Sequence, residues 1–124
     1  MMKMVSIPGP ILQEKLCLVN QNDELTGTMS KDRCHIGAGR RHRAFSLHIL
    51  NSREEFLIHR RSEVKMLWPG FWSNSCCSHP RAGETVDAAV KRRAIEELGI
   101  SVKPLFCYKF EYREEYLDVG TEHE

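Results

Sequence analysis

Residues 73–100, SNSCCSHPRAGETVDAAVKRRAIEELGI, constrain the fold more than any other part of this sequence. A turn carrying two thiols and an imidazole leads there into a helix-forming segment with recognisable ends. Thr85 is a suitable N-cap, Asp87 places a negative charge in the first turn, and Gly99 stands where a left-handed residue commonly ends a helix. Apolar residues recur at helical spacing between these ends: Val86, Ala89, Val90 and Ala94. The segment therefore predicts an amphipathic helix between Thr85 and Gly99, with Cys77 and His79 just before it.

The same helix carries a charged pair at the margin of its apolar face. Arg93 and Glu97 are four residues apart, so their side chains lie on one side of the cylinder. A helical salt bridge is the ordinary interpretation of such a pair. The Cys-Cys-Ser-His turn that precedes the helix favours a role in a site instead, and both interpretations stay open at this stage.

Length and composition restrict the class of protein. The 124 residues suffice for one domain with a real core but not for two. A net charge of +1 indicates neither a nucleic-acid nor a membrane-surface partner, and no run approaches the ~18 apolar residues of a membrane span. Five cysteines without an export signal predict reduced thiols in the cytoplasm. We expect a flexible lead-in over residues 1–13, a single domain over 14–124, and a monomer.

The hydrophobic pattern predicts both strands and helix. Alternation of polar and apolar residues predicts strands at 42–50 and 105–112. Residues 14–20 and 55–59 also read as strands, and residues 121–124 as the beginning of another. The segments 42–50 and 55–59 form a predicted hairpin. Residues 26–41 are rich in glycine and cations and read as a loop, and 113–120 as a polar turn. The order predicts an α+β fold in which the helix covers a mixed β-sheet.

Imidazoles and carboxylates are distributed in a way that could build a metal site. His35 and His42 flank the glycine-rich loop, His79 follows the thiols, and Glu122 and Glu124 share one face of a predicted strand. A shell of nitrogen and oxygen ligands suits Zn²⁺, Mn²⁺ or Fe²⁺. Because these residues are spread over most of the chain, surface histidines are the competing interpretation.

Cys77 is the candidate reactive thiol, since nearby cations or a metal would favour its thiolate. Two alternatives are a small buried apolar residue and a zinc ligand acting with His79. Several cations could together bind an anion such as a diphosphate, although a solvated basic surface is the ordinary interpretation of any one of them. These cations are Lys31, Arg61, Lys65 and Arg93.

Several stretches together resemble one enzyme family. They are TGTMSKDRCH at 26–35, HRAFS at 42–46, WPGFWSNSCCSHP at 68–80, GETVDAAVKRRAIEELGI at 83–100, EYR at 111–113 and EHE at 122–124. In order and approximate spacing they resemble type I isopentenyl-diphosphate delta-isomerase, from about Glu14 to the last residue. The resemblance implies a Nudix-like (α/β/α-like) fold and an isomerase of isoprenoid biosynthesis.

The resemblance also permits a test against the Nudix hydrolase box, G-x5-E-x7-R-E-U-x-E-E-x-G-U, where U is a bulky apolar residue. Glu84, Gly99 and the Glu96-Glu97 pair match the box, whereas Ser78 stands at its first glycine and Arg93 at the glutamate of its R-E pair. Hydrolases use that glutamate on the metal bound to the diphosphate. Its replacement by arginine argues for holding a diphosphate without cleaving it.

Roles follow from the resemblance residue by residue. It implies a shell for one divalent metal, Zn²⁺ or Mn²⁺, formed by His35, His42, His79, Glu122 and Glu124. It implies that Cys77 and Glu124 are the catalytic acid and base, assisted by Tyr112. Glu97 would bind a Mg²⁺ that bridges to the substrate diphosphate. The diphosphate itself would contact Lys31, Arg61, Lys65 and Arg93.

The implied reaction interconverts isopentenyl and dimethylallyl diphosphate by protonation and deprotonation on opposite faces of the substrate. The carbocation between these steps needs a dry pocket with aromatic faces, for which Trp68, Trp72 and Tyr112 are candidates. The family continues for several tens of residues beyond the EHE motif, so we expect a fold incomplete at its C-terminus, unpaired strand edges and weak or no activity of this chain alone. A Nudix hydrolase and an inactive metal-binding fragment are the alternative functions.

Overall fold

The computed structural model describes residues 14–124. The predicted lead-in at 1–13 lies outside these residues. Eight strands and two helices follow in the order β1 (Lys15–Val19), β2 (Leu25–Ser30), α1 (Lys31–His35), β3 (Phe45–Leu47), β4 (His59–Arg60), β5 (Trp72–Ser73), β6 (Cys76–Ser78), α2 (Val86–Leu98), β7 (Arg113–Tyr116) and β8 (Gly120–His123). The prediction of an α+β fold is confirmed.

The first strand lies where the sequence predicts it, and it pairs antiparallel with β2. The side-chain oxygen of Asn20 accepts the N–H groups of Asn22 (2.8 Å) and Glu24 (3.0 Å), which closes the turn between them. The interpretation of 26–41 as a loop was wrong, because these residues include most of β2 and all of α1. Pairing with the buried β1 outweighs the weak strand propensity of a segment that contains Gly27.

The predicted hairpin at 42–59 exists only at its tip. The N–H of Leu57 donates to the carbonyl of Ile49 (2.9 Å), and Leu50 and Phe56 form an isolated antiparallel β-bridge. Farther from the turn the two arms separate. Strand β3 of the first arm pairs antiparallel with β6, whereas β4 of the second arm pairs antiparallel with β5.

The predicted helix is confirmed as α2. The hydroxyl of Thr85 accepts the N–H of Ala88 (3.1 Å), and Gly99 ends the helix at φ 68° while donating its N–H to Ile95 (3.0 Å). The buried face of α2 packs against β3 and β6. The residues of this core cluster are Phe45, Leu47, Cys76, Ala89, Val90 and Ala94. Helix α2 therefore supports the strand that carries the two adjacent thiols.

The last part of the chain differs from its prediction. Residues 105–112 alternate as a strand does but join no sheet, because within 14–124 only Tyr112 of this segment finds a backbone partner. Residues 113–120, predicted as a turn, include β7, and the strand expected at 121–124 is confirmed as β8. Strand pairing within 14–124 is antiparallel throughout, in four two-stranded pieces, in place of the expected mixed sheet.

Backbone contacts around His42 join the separate strand pairs. The N–H of His42 donates to the carbonyl of His123 (3.0 Å), and the N–H of Arg43 donates to Cys17 (2.8 Å). Leu16 and Arg81 also form an isolated antiparallel β-bridge. Strand β1, the segment around His42 and β8 thus lie side by side, and they bring distant parts of the sequence to one place. Neither helix in residues 14–124 is long and apolar enough to cross a membrane.

Candidate metal centre and reaction site

Three histidines and one glutamate converge although they are far apart in sequence. His35 ends α1, His42 follows the loop after it, His79 follows β6, and Glu124 follows β8. One ligand atom from each lies within 4.8 Å of the others. Buried imidazoles that face one another in this way are typical of a site for a divalent cation.

The hydrogen bonds of the imidazoles orient them for such a role. The Nδ1 atoms of His35 and His42 lie 2.8 and 2.7 Å from the backbone carbonyls of Lys31 and Arg40. A carbonyl only accepts, so each Nδ1 carries a proton. Each Nε2 faces Glu124: it donates to the carboxylate when the ring is protonated, and in the neutral ring its lone pair could bind a cation. Glu124 Oε1 lies 2.8, 3.1 and 4.0 Å from the Nε2 atoms of His79, His42 and His35. The donor set therefore fits Zn²⁺, Mn²⁺ or Fe²⁺.

Burial and hydrogen bonding oppose each other in this cluster. Burial alone would raise the pKa of Glu124, but hydrogen bonds from the three imidazoles outweigh it and hold that pKa well below its ordinary value. Burial lowers the pKa of His79. Burial also opposes protonation of His35, yet Glu124 and the Lys31 carbonyl raise its pKa above the ordinary value. The carboxylate of Glu124 is thus ionised within a largely dry site.

Tyr112 connects the second glutamate to the cluster. Its hydroxyl lies 2.9 Å from Glu122 Oε2 and 2.8 Å from Glu124 Oε2. Burial, followed by the charge of Glu124, raises the pKa of Glu122, and burial raises the pKa of Tyr112. Glu122 is thus the less readily ionised of the two carboxyl groups, and one phenol oxygen bridges both.

Cys77 lies two residues before His79, and it is an exposed residue whose sulfur is nevertheless partly shielded from water. Burial of the sulfur raises the pKa of the Cys77 thiol, and the charge of Glu124 raises it further. A hydrogen bond from Ser73 lowers that pKa, but the net change is an increase. The Ser73 hydroxyl lies 3.9 Å from Cys77 Sγ. Sequence reasoning missed Ser73. Its position in the predicted turn, four residues before the thiol, was the available signal.

The four predicted diphosphate-binding cations lie near one another. Burial lowers the pKa of Lys65, and the charges of Lys31, Arg61 and Arg93 lower it further. Mutual repulsion in the absence of an anion is expected where several cations share one site. Arg61 also has a structural contact, since its guanidinium donates to the carbonyls of Leu67 (2.9 Å) and Trp68 (3.1 Å).

The margin of α2 is held by a network of arginines. Arg93 donates to the Ser78 hydroxyl (3.1 Å) and pairs with the exposed Glu97. Arg92 donates to Glu84 through two nitrogens at 2.7 and 2.9 Å, and to the carbonyl of His79 at 3.4 Å. The Arg93–Glu97 salt bridge that the helical spacing predicts is therefore present, and the network ties α2 to the His79 turn.

Strand β8 approaches the backbone of His35 unusually closely. A Cβ atom at Gly120 would lie 2.4 Å from the carbonyl oxygen of His35. The next residue, Thr121, is buried and donates its hydroxyl to the carbonyl of Gly37 (2.6 Å). These contacts set the position of Glu122 and Glu124 relative to the histidines. Sequence reasoning missed both Gly120 and Thr121, because nothing local distinguishes them from ordinary turn and strand residues.

The two tryptophans proposed to face a carbocation have other surroundings. Trp68 packs against Tyr116 with 5.3 Å between ring centroids. Trp72 is 68% exposed on β5. Tyr112 is thus the predicted aromatic residue for which the structure shows contact with the metal-site carboxylates.

The fold and the site together define an α+β domain with a buried histidine–glutamate cluster that could hold a metal ion, and with cations near it. The NUDIX domain model matches residues 40–124, more than half of the chain. The chain belongs to the NUDIX domain family.

Two curated relatives of this chain are named as isopentenyl-diphosphate isomerases. This chain is 51% identical over 113 residues to Isopentenyl-diphosphate Delta-isomerase 1 of Photorhabdus laumondii. The alignment covers 90% of this chain and 64% of the relative. This chain is also 41% identical to the Isopentenyl-diphosphate Delta-isomerase of Pectobacterium atrosepticum, over 89% of this chain and 61% of the relative. The chain thus spans about three fifths of the length of these relatives.

A solved structure agrees with the fold. DR0079 from Deinococcus radiodurans superposes with a TM-score of 0.62 at 32% sequence identity, covering 71% of this chain and 54% of that one.

Proposed function

We propose that this domain interconverts isopentenyl and dimethylallyl diphosphate by protonation and deprotonation. The observation that carries the proposal is the cluster of three histidines and Glu124, with Cys77 two residues before His79 and its pKa raised in part by the charge of Glu124. Support also comes from the names of the relatives, to which the chain is 38–51% identical. The resemblance in sequence and the proximity of these side chains thus point to the same reaction.

Two groups with exchangeable protons are required, and the site offers them in different environments. Glu124 is buried and hydrogen-bonded to Tyr112, whereas Cys77 is an exposed residue whose sulfur is partly shielded from water. One of them protonates the double bond and the other removes a proton from the neighbouring carbon. Bound to the imidazoles and Glu124, Zn²⁺ or Mn²⁺ would supply positive charge that favours the ionised carboxylate. Tyr112 restricts the position of the carboxylate through its hydroxyl.

The cationic margin would bind the diphosphate of the substrate. Lys65, Lys31 and Arg93 lie close enough for their charges to repel, and a diphosphate would relieve that repulsion. Glu97 is a ligand for Mg²⁺ in this proposal, although the structure shows it paired with Arg93. When substrate binds, its diphosphate would pair with the guanidinium of Arg93. The carboxylate of Glu97 would then be available to hold Mg²⁺.

Arg93 also distinguishes this proposal from hydrolysis. It occupies the box position at which Nudix hydrolases place a glutamate. Its guanidinium donates to the Ser78 hydroxyl and pairs with two glutamates of the same helix. A cation at that position would hold a diphosphate and could not bind the metal that hydrolysis requires.

The test is proton NMR of the purified chain with isopentenyl diphosphate in D₂O, with Mg²⁺ and either Zn²⁺ or Mn²⁺. We expect slow formation of dimethylallyl diphosphate containing deuterium, its loss in Cys77→Ala, and its retention in Cys107→Ala, which replaces the other exposed cysteine. Release of inorganic phosphate without isomerisation would establish the hydrolase. Stoichiometric metal binding without turnover would establish the non-catalytic metal-binding fragment.

The remaining assignments belong to the same proposal. We propose that residues 14–124 form one domain and that the protein acts in the cytoplasm. Support for the second point comes from the cysteines, all five of which are free.

A further inference from the structure

We propose that Thr121 is a positioning residue that fastens the loop between two imidazole ligands to the strand that leads to Glu124. The loop is residues 36–41, between His35 and His42, and the strand is β8. This role rests on the metal centre of the proposed function, toward which Thr121 acts only through the backbone of its neighbours.

The path of this loop determines how two imidazoles face each other. The ring centroids of His35 and His42 lie 4.8 Å apart, although the whole loop lies between the two residues. The carbonyl that orients His42 through Nδ1 belongs to Arg40, which is part of the loop (2.7 Å). The ring of His35 is instead oriented from within α1, by the carbonyl of Lys31. A shift of the loop would therefore move and turn the ring of His42 relative to that of His35.

The loop has little of its own to fix this path. Gly37 and Gly39 adopt left-handed φ angles of 60° and 71°, and glycine loses more conformational freedom on folding than any other residue. Two backbone hydrogen bonds close its turns, from the N–H of Gly39 to Ile36 (3.1 Å) and from that of Arg40 to Cys34 (2.9 Å). Both bonds are local, so neither holds the loop against β8. A contact from outside the loop must do so.

Thr121 supplies such a contact at two points. It is 1% exposed, and its hydroxyl donates to the carbonyl of Gly37 at 2.6 Å. Its Cβ and methyl group lie against Gly39, where an added Cβ atom would be 3.0 and 3.2 Å from them. Arg113 of β7 adds a hydrogen bond to the carbonyl of Ala38 (3.1 Å), but that bond is exposed to solvent. A hydroxyl as buried as that of Thr121 is costly to leave without a partner, so it favours one position of the loop.

Strand β8 connects this contact to the rest of the cluster. Thr121 lies in register opposite Glu115 of β7, and the same strand leads on to Glu124. The carbonyl of His123 accepts the N–H of His42 at 3.0 Å, so β8 also holds the far end of the loop. Thr121 therefore joins the imidazoles and the carboxylate into one unit, whose spacing is set by the folded chain itself.

The test compares Thr121→Val, which keeps the branched shape of the side chain and removes its hydroxyl, with Thr121→Ser, which keeps the hydroxyl. In the apoprotein, amide hydrogen exchange at Gly39 and Arg40 should be roughly tenfold faster in Thr121→Val and unchanged in α2. Calorimetry should show the affinities for Zn²⁺ and Mn²⁺ weakened roughly tenfold. The visible absorption of bound Co²⁺, which depends on the geometry of its ligands, should change as well. Thr121→Ser should resemble the unaltered chain in all three measurements.

Two control variants separate positioning from stability. Thr28→Val makes the same substitution at an exposed residue of β2, and Thr85→Ala removes the N-cap of α2. We expect both variants to bind the metals like the unaltered chain, although Thr85→Ala should unfold more easily.

The outcomes distinguish this role from the proposed reaction. Unchanged metal affinity in Thr121→Val, or an equal loss in Thr121→Ser or Thr85→Ala, would overturn the positioning role and leave the isomerase proposal intact, because isomerisation is measured separately by NMR. A loss confined to Thr121→Val would confirm the role even if the unaltered chain isomerised nothing. An unaltered chain that bound none of the three metals would overturn the metal centre and this role together.

Discussion

Replacing Gly120 by alanine isolates one contact that positions the metal ligands. The added methyl group would lie 2.4 Å from the carbonyl oxygen of His35 and 3.1 Å from Leu67 Cδ2. The φ angle of Gly120 is not in the left-handed region, so the substitution tests steric approach without added backbone strain. The nearest obstacle is a backbone atom, which cannot rotate away.

The size of the effect follows from this distance. Restoring an ordinary contact of roughly 3.5 Å requires β8 to move by about 1 Å from α1. Overpacking of this kind costs about 1–3 kcal/mol of unfolding free energy. The same movement separates Glu124 from His35, and loss of support for a metal ligand typically weakens metal affinity by about 10–100-fold. We expect both effects in Gly120→Ala.

Two measurements are needed. Calorimetric titration gives the affinities for Zn²⁺ and Mn²⁺, and denaturant unfolding of the apoprotein gives the unfolding free energy. Gly27→Ala is the matched control, since its nearest neighbour to a new Cβ atom is Leu18 Cδ1 at 3.9 Å. A strand glycine with free space should tolerate alanine with little change in either quantity. If Gly120→Ala bound metal and unfolded like Gly27→Ala, the close approach of β8 to His35 would not position the site.

Three further substitutions test other contacts. Glu84→Gln should lower the unfolding free energy by about 1–3 kcal/mol at neutral pH, because it weakens the paired hydrogen bonds from Arg92. Since Arg92 lowers the pKa of Glu84 in the folded state, this contribution is present above the ordinary glutamate pKa and is lost as the pH falls through the folded value. Denaturant unfolding across that range checks it, and a pH-independent difference would contradict the ion pair. Tyr112→Phe should weaken metal binding roughly tenfold by calorimetry, as the hydroxyl shared by two carboxyl groups is lost; unchanged affinity would show that it does not position them. Thr85→Ala should cost about 1 kcal/mol in thermal unfolding through loss of the N-cap, and an unaltered midpoint would argue against the cap.

Local signals predicted local structure well. The ends of α2 were readable because Thr85 and Gly99 act on neighbours within four residues. The loop predicted at 26–41 was wrong because β2 depends on pairing with β1, whose contribution is absent from the local sequence. The alternation at 105–112 is real, yet it gives no ladder, because within the described chain this segment has no neighbouring strand.

The site, too, depends on contacts between distant residues that local sequence does not reveal. Spacing alone favoured surface histidines over a metal site, and the resemblance brought His35, His42, His79 and Glu124 together. Their convergence in the structure agrees with that assignment. The features that no local pattern reveals are contacts across the fold, such as Gly120 against His35 and Ser73 beside Cys77.

The wide separation of the metal ligands has a consequence for the stability of the chain. His79 and His42 contact Glu124 across 45 and 82 positions, so an ion held between them would close two long loops as a covalent cross-link does. Such an ion binds only the folded chain, and at about 100 times its dissociation constant it adds about 2.7 kcal/mol to the unfolding free energy. If the cluster holds a metal as proposed, the melting temperature of this domain should rise with free metal, and a chelator should lower it as a denaturant would.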